Sequence, residues 1–557
     1  MRRLASLFFM SLAVAACSSS GSSGETSSGS PPGPDDGGGD STTPDGGGPP
    51  AGTGACSITK EGTAGLVLKG RVLAPAGPLD GEVLVAAAGT ITCADASCAA
   101  SPGYADATVV ACTGVVIAPG LINAHDHTDY NAHAPLVHAQ KRWQHRHGWR
   151  TGAGGETALP KYPSTTDPKT IAAAELRFVV GGATAVNSSG GVPGLLRNVA
   201  SFKDKTQLEG LTGPSVFFDT FPLGDSNGTE LATGCAYPAI RAAGTAFAGG
   251  GAYSPHIAEG INAAAENEFT CLKPTLVTAQ TAIIHAVGLN ATDIGAIADA
   301  KAKVIWSART NIDLYGNTAP VTVLKTMGVT LGLGTDWLAS GSMNMLRELA
   351  CIDSLNDKYF GKAFDDRALV DMATVGSATA LKLDSQIGSL APGHFADIAI
   401  FASATATDYR AVLEASPEDV VLVLRGGKVL YGDGGLVDAL APGCGDLPMC
   451  GKTKKVCVDT PGVTLADMVT AAGKSYPLFF CKGETPKDEP SCVPYRDTYP
   501  SGTSATDRDG DGVPDATDNC PSVFNPPRPL DGTAQADVDG DGKGDACDAK
   551  PLDPAVQ

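Results

Sequence analysis

Val115-Val116-Ile117-Ala118-Pro119-Gly120-Leu121-Ile122-Asn123-Ala124-His125-Asp126-His127 is the stretch on which the fold turns. An apolar, β-branched run leading into two histidines suits a buried strand that ends at a polar rim. Residues i and i+2 of a strand share a face, so His125 and His127 can present two imidazoles to one cation.

Other chemistry-bearing residues also close strand-like runs. His256 ends Ala252-Tyr253-Ser254-Pro255, His285 follows Thr281-Ala282-Ile283-Ile284, and Asp336 ends Thr330-Leu331-Gly332-Leu333-Gly334-Thr335. Further strands are expected at 215–220 and 303–306, with helical periodicity over 170–182, 262–272, 292–302 and 320–327. Alternating strands and helices imply a parallel sheet, and a closed (β/α)8 barrel of the TIM type gathers distant strand ends at one mouth. Seven strands are counted in all, six of them at the runs just named. No clean eighth strand is legible between the 215–220 run and His256. Short strand patterns at 66–72 and 81–85, and again at 387–400 and 420–431, imply a smaller β domain built from both flanks; His394, on a Pro-Gly turn there, reads as structural.

The loop after the first strand carries His133, His138, His145, His147, Trp149 and Arg150. Residues 145–150 read either as a substrate lid with an anion clamp at Arg150 or, equally, as a solvated loop. Trp306 and Trp337 flank strand ends, where they either stack on a flat heterocycle or pack the barrel.

At this point the chain resembles the amidohydrolase superfamily over roughly residues 60–435. Residues 119–127 look like that family's first-strand motif, Gly334-Thr335-Asp336 like its last-strand aspartate, and His256-Ile257-Ala258-Glu259 is similar to the His-x-x-Glu of its deaminase and chlorohydrolase branch. The resemblance implies one divalent transition metal, zinc with iron as the alternative, on His125, His127, His256 and Asp336. It further implies His285 as a nearby or partial ligand and Glu259 as the proton shuttle. No lysine occurs over 215–225 to bridge a second metal. Trp306-Ser307-Ala308-Arg309-Thr310-Asn311 is similar to a family strand end, although Ala308 and Thr310 depart from it; Arg309 and Asn311 are carried over as weak substrate contacts with Arg150, Trp306 and Trp337. A metal held by nitrogen and carboxylate groups with one open position lowers the pKa of bound water to roughly 7. The expected catalytic set is Glu259, His285 and Asp336.

Arg2 and Arg3 precede an apolar run over 4–16, too short to span a bilayer and suited to a signal peptide. Val14-Ala15-Ala16-Cys17 looks like a bacterial lipoprotein box, so lipidation of Cys17 and display on the outer membrane or cell surface are expected. Between Ser18 and Ala55 the hydrophobic class is represented by Ala51 and Ala55 alone, which suits a disordered tether of about 30 to 40 Å. Fifteen cysteines less Cys17 leave an even fourteen, as export requires. Cys93 with Cys98, Cys235 with Cys271 and Cys520 with Cys547 are the pairings suggested by proximity.

At the carboxy end, Asp507, Asp509, Asp511, Asp515 and Asp518 are followed by Asp537, Asp539, Asp541 and Asp545, alternating with small residues before cysteines. Such loops wrap hard cations, and the pattern resembles the thrombospondin type 3 repeat, which implies calcium. Much of the net charge of −20 lies there, and no basic stripe exists to bind nucleic acid.

The expected division is a signal peptide over 1–16, a lipidated linker over 17–55, a composite β-sandwich from 56–118 and 385–435, and a barrel over 119–384. A cysteine-rich extension over 436–505 and calcium-binding repeats over 506–557 complete it. The function expected is hydrolysis of a C–N bond in a small molecule, with deamination of a cyclic amidine or heteroaromatic amine first. Cyclic amide or carbon-halogen hydrolysis, and a non-catalytic calcium-binding surface scaffold, are the alternatives. Oligomeric state has no sequence signal.

Overall fold

The computed structural model describes residues 55–139, 141–200 and 204–556; the expected signal peptide, Cys17 and the tether up to residue 54 lie outside them. Eight strands form a ring: β1 (Leu121–Asp126), β2 (Ala183–Ser188), β3 (Arg197–Asn198), β4 (Phe217–Asp219), β5 (Tyr253–Ile257), β6 (Ala282–His285), β7 (Lys303–Trp306) and β8 (Leu331–Leu333). Every pairing within β1-β2-β3 and β4-β5-β6-β7-β8 is parallel. Val216 N donates to Val199 O at 2.8 Å, joining β3 to β4, and a parallel bridge between Asp126 and Asp336 closes β8 on β1. Alternate side chains feed different clusters, Ile122, Ala124, Ile284 and Ile305 in one and Leu121, Ile283, Val304 and Leu333 in another, as a period of two demands.

Neither β2 nor β3 coincides with a run placed above, and β3 precedes the 215–220 run where the missing strand was expected to follow it. It is two residues long and polar, yet both side chains are buried. Arg197 pairs bidentately with Asp397, Nε to Oδ2 at 2.8 Å and Nη2 to Oδ1 at 2.9 Å. An ion pair here does what apolar alternation does elsewhere, so no periodicity was available to read.

The opening stretch is also divided differently from the expectation of one strand. Residues up to Pro119 belong to a strand Thr108–Pro119 that pairs antiparallel with Ile398–Ala402 in a second sheet. The chain crosses into the barrel at Gly120, where a Cβ would lie 2.4 Å from Thr184 Cγ2. Only glycine permits that approach.

That second sheet holds ten strands, five from each flank, hydrogen-bonded in one continuous order, and its flanks also meet where Ala396 N donates to Gly89 O at 2.9 Å. Two of them, Gly445–Met449 and Lys452–Val456, come from the cysteine-rich region, which extends the sheet by a hairpin tied by Cys444–Cys457. Helices Pro168–Val179, Ala263–Leu276 and Ala291–Asp299 cover the barrel where periodicity placed them. Each starts on a side-chain cap, from Asp167, Asn262 and Asn290 respectively. Helix Ala308–Tyr315 was not anticipated.

All fourteen cysteines from Cys56 onward are paired, in seven disulfides that include the three pairings suggested by proximity. Cys351–Cys492 fixes the extension to helix Met345–Lys358. Beyond it the aspartate-rich segment lies against the barrel: Arg528 Nη1 donates to Val287 O (3.1 Å) and Leu289 O (2.9 Å), and Leu530 N to Ile261 O (3.2 Å). Among the described residues no helix is long and apolar enough to cross a membrane.

Candidate metal centre and active site

Four strand ends bring their polar residues to one point. His125 Nε2 lies 3.0 Å from Asp336 Oδ1, His127 Nε2 lies 3.6 Å from the same oxygen, and His256 Nε2 lies 3.3 Å from His127 Nε2. Ligands about 2.0 to 2.2 Å from one ion, at angles of about 90 to 110°, stand about 2.8 to 3.6 Å apart. The observed separations are of that size. His285 joins His125 and His256 in a second triad of donor atoms.

The electrostatics fit a cation. Burial first, then the neighbouring His125, pushes His127 down to about 3; burial and the adjacent imidazoles hold His256 well below the ordinary range. Both rings are therefore neutral, with lone pairs to give. Burial alone would raise the Asp336 carboxyl, but its hydrogen bond with His125 and the surrounding imidazoles hold it down to about 2. An ionised carboxylate among neutral imidazoles is the donor set of a divalent transition ion.

Supporting contacts fix the rings. His256 Nδ1 bonds the Asp219 carbonyl of β4 at 3.1 Å, and His127 Nδ1 bonds Ser189 Oγ at 3.1 Å, whose hydroxyl reaches Asp129. Asn311 Nδ2 donates to His285 Nδ1 at 3.2 Å. Gly334 lets β8 pass His125, since a Cβ there would lie 2.7 Å from His125 Cβ. His285 and Asp336 hold positive φ, 75° and 66°, and Ala258 and Ala286 beside the site do likewise. Such backbone costs about 1 to 3 kcal/mol per residue and aims side chains that relaxed strands would point elsewhere.

Glu259 lies 3.5 Å from His285 Nε2 and accepts a 2.7 Å hydrogen bond from the Tyr315 hydroxyl. Burial, aided by the Asp336 charge and opposed by Arg146 and Tyr315, pushes it up to about 7. A carboxyl poised there can give and take a proton at neutral pH.

These residues floor a cavity of about 400 Å³. Of the expected substrate contacts, Arg150 and Trp337 line it. Trp306 and Arg309 do not. The Trp306 indole is buried and donates to Thr318 Oγ1 (2.6 Å), while Arg309 turns to Ser342 Oγ (2.6 Å) and Pro490 O (2.6 Å), holding the extension against the barrel. Asn311 acts on His285 from behind. The solvated-loop reading of residues 145–150 is overturned: they enter a short helix Arg146–Thr151, and His145, Arg146 and His147 are buried. Sequence reasoning missed Tyr130, Tyr162, Phe221, Lys161 and Tyr315, which sit on loops and on an unanticipated helix without periodic signal.

At the carboxy end the two aspartate loops repeat with a 30-residue offset. Asp507 accepts from Gly510 N (2.8 Å) and Gly512 N (3.1 Å), as Asp537 does from Gly540 N (2.8 Å) and Gly542 N (3.1 Å). Asp509, Asp511, Asp539 and Asp541 continue the match. Oδ2 atoms of Asp509, Asp518, Asp539 and Asp548 are buried without a hydrogen-bond partner. Burial and the neighbouring carboxylates push Asp509 up to about 8, and burial foremost pushes Asp511 and Asp545 up to about 6. Asp515 instead faces Arg508 Nε at 2.8 Å. Asp548 is the counterpart of Asp518 by the same offset.

Comparison with known proteins agrees with this geometry in two segments. Residues 251–430 match the amidohydrolase family and residues 505–528 the thrombospondin type 3 repeat. A 5-methylthioadenosine/S-adenosylhomocysteine deaminase of Teredinibacter turnerae is 36% identical over 126 residues, 22% of this chain and 28% of that protein. A 5'-deoxyadenosine deaminase of Methanothermobacter thermautotrophicus is 32% identical over 170 residues, 28% of this chain and 39% of that protein. The chain thus spans well under half the length of these curated relatives. Among solved structures, a triazine hydrolase variant is 19% identical with a TM-score of 0.49, covering 66% of this chain and 94% of that one. A zinc-bound adenosine deaminase of Xanthomonas campestris is 18% identical with a TM-score of 0.43, covering 66% and 93%. By its sequence over 251–430, this chain is similar to the amidohydrolase family.

Proposed function

We propose that this protein is a metal-dependent hydrolase of the deaminase type, acting on a C–N bond of a heteroaromatic amine or cyclic amidine. The observation that carries the reading is the convergence of His125, His127, His256 and Asp336 at ligand spacing with Glu259 beside them. Those four residues would hold zinc, or iron in its place, with His285 adjacent. A divalent ion there supplies the acidity that makes water a nucleophile near neutral pH.

The chain's own groups do the rest. Asp336, ionised, accepts a proton from the attacking water, and His285 orients the oxygen as it adds to the carbon. Glu259, protonated, delivers its proton to the ring nitrogen as the oxygen adds; the proton held by Asp336 then passes to the amino group, the C–N bond breaks, ammonia leaves, and the added hydroxyl returns a proton to Glu259 as it becomes a carbonyl. The deaminase relatives support this choice over cyclic amide or carbon-halogen hydrolysis. A scaffold without activity has no use for a buried carboxyl poised near neutrality beside the ligands.

The aspartate loops would hold calcium through Asp507, Asp509, Asp511 and Asp518 and their counterparts 30 residues on. Seven disulfides support folding in an oxidising compartment, in keeping with export and anchoring at Cys17. The test is elemental analysis with ammonia release from a panel of heteroaromatic amines. About one transition metal per chain is expected, with turnover lost in Glu259→Gln by at least about 10²-fold and metal content retained. A barrel that holds no transition metal would sink the proposal.

A further inference from the structure

We propose that the cavity takes an amine whose flat ring also carries an anionic group, carboxylate or phosphate, and that Arg150 receives that anion. The orientation of the amine rests on the hydrolase reading of the same site; the anion preference does not.

Arg150 is a half-buried guanidinium on the cavity wall. It stacks 4.4 Å from the Phe221 ring centre and makes one hydrogen bond, from Nη1 to His147 Nδ1 at 2.8 Å. Among the described residues no carboxylate lies within ion-pair distance of it. Arg146, the other arginine of the wall, is different: it pairs with Asp225 and stands 3.6 Å from Glu268 and 4.0 Å from Glu259. The nearby carboxylates make their contacts with other groups, although Asp225 Oδ1 stays without a hydrogen-bond partner. Asp225 binds Arg146 and accepts from His147 Nε2 at 2.9 Å, and Glu259 accepts from Tyr315. With Nδ1 accepting from Arg150 and Nε2 donating to Asp225, His147 is a neutral tautomer and brings no compensating charge.

A partly desolvated cation without a counter-ion is costly unless a ligand supplies one, and a planar guanidinium is suited to carboxylate and phosphate oxygens. Burial foremost, then the nearby Arg146, disfavour the charge of Arg150, while Glu259 and Asp225 favour it from beyond contact distance. At the rim Lys161, exposed and without an ion pair among the described residues, adds a second cation. Arg146, Arg150 and Lys161 line the cavity against Asp129, Glu259 and Asp336, and of the three cations Arg150 and Lys161 are the two without an ion pair among the described residues. The one acid at this end, Asp129, is occupied by Ser189. On the same cavity, Trp149 and Trp337 pack at 5.4 Å with their planes tilted by 39°, and Tyr162 is edge-on to Trp337 at 5.4 Å. Those aromatics pack on one another and offer the cavity an apolar wall against which a flat ring can lie, and about 400 Å³ accommodates a bicyclic heterocycle with a short tail.

The test uses matched probes: adenine-9-acetate against adenine-9-acetamide, and adenosine 5'-phosphate against adenosine, with binding to the full metal-loaded chain read by tryptophan fluorescence. The anionic member of at least one pair is expected to bind at least about tenfold tighter, with the advantage falling as salt rises. Arg150→Met should reduce that advantage to threefold or less and leave affinity for the neutral member within twofold; Arg150→Lys should retain part of it. Which pair responds distinguishes carboxylate from phosphate. Equal or undetectable binding within both pairs, or an advantage that survives in Arg150→Met, overturns the proposal. Anion preference without release of ammonia from either probe would leave it standing while counting against the hydrolase reading.

Discussion

Tyr315 is the residue whose role the structure adds. Its buried hydroxyl donates to Glu259 Oε1 at 2.7 Å and accepts from Trp149 Nε1 at 2.8 Å, so one side chain links the proposed proton shuttle to the cavity wall. The bond favours the ionised form of Glu259, so removing it raises the Glu259 pKa further above about 7. A general acid works while protonated. Tyr315→Phe is therefore expected to shift the alkaline limb of the rate profile to higher pH and to lower kcat about tenfold, the equivalent of one charge-assisted hydrogen bond. The pH dependence of kcat in both proteins checks it; an unmoved alkaline limb removes Tyr315 from the account. The histidines and Asp336 of the candidate metal centre were legible in the sequence because they close strand-like runs. Tyr315 was not, because helix Ala308–Tyr315 is short and holds buried Arg309, Thr310, Asn311 and Asp313, which mask its apolar face.

At the scale of elements, legibility followed whether burial was apolar or ionic. Strands β5 to β8 are short apolar runs and were readable as such, whereas β3 is held by Arg197 and Asp397, residues that read as surface. The helix Arg146–Thr151 poses the same problem. Its N-cap, His145, lies between Glu230 Oε1 at 3.3 Å and Glu268 Oε1 at 3.2 Å. Burial alone would lower its pKa, but those two carboxylates raise it to about 9. A histidine whose folded pKa exceeds its unfolded value contributes stability that is fully present below about pH 6.5 and is lost as pH rises through about 9. Thermal melts from pH 6 to 10 should show the wild-type protein losing stability across that window relative to His145→Gln. Parallel curves for the two proteins would show that the buried pair is not coupled to folding.

The whole molecule joins two segments with unrelated chemistry, and that docking had no sequence signal at all, because it runs through backbone carbonyls. Arg528 lies between the two aspartate loops, braced by Asp531 at 2.7 Å, and binds the carbonyls of Val287 and Leu289; Leu530 N binds that of Ile261. These carbonyls belong to the loops that follow His285 and Glu259. The Cys520–Cys547 disulfide ties one loop to the other, but it leaves the crowded carboxylates of Asp509 and Asp511 to repel each other when no cation is bound. Calcium on these loops should therefore favour the conformation that presents Arg528 to the barrel, by mass action on the folded form. Chelating calcium with EGTA, under conditions that leave the transition metal in place, is expected to lower the melting temperature and to speed amide hydrogen exchange over residues 258–262 and 286–290. Arg528→Ala should abolish that long-range response and leave calcium stoichiometry unchanged. Exchange in those two loops that ignores calcium would mean that the repeats are anchored beside the site without bearing on it.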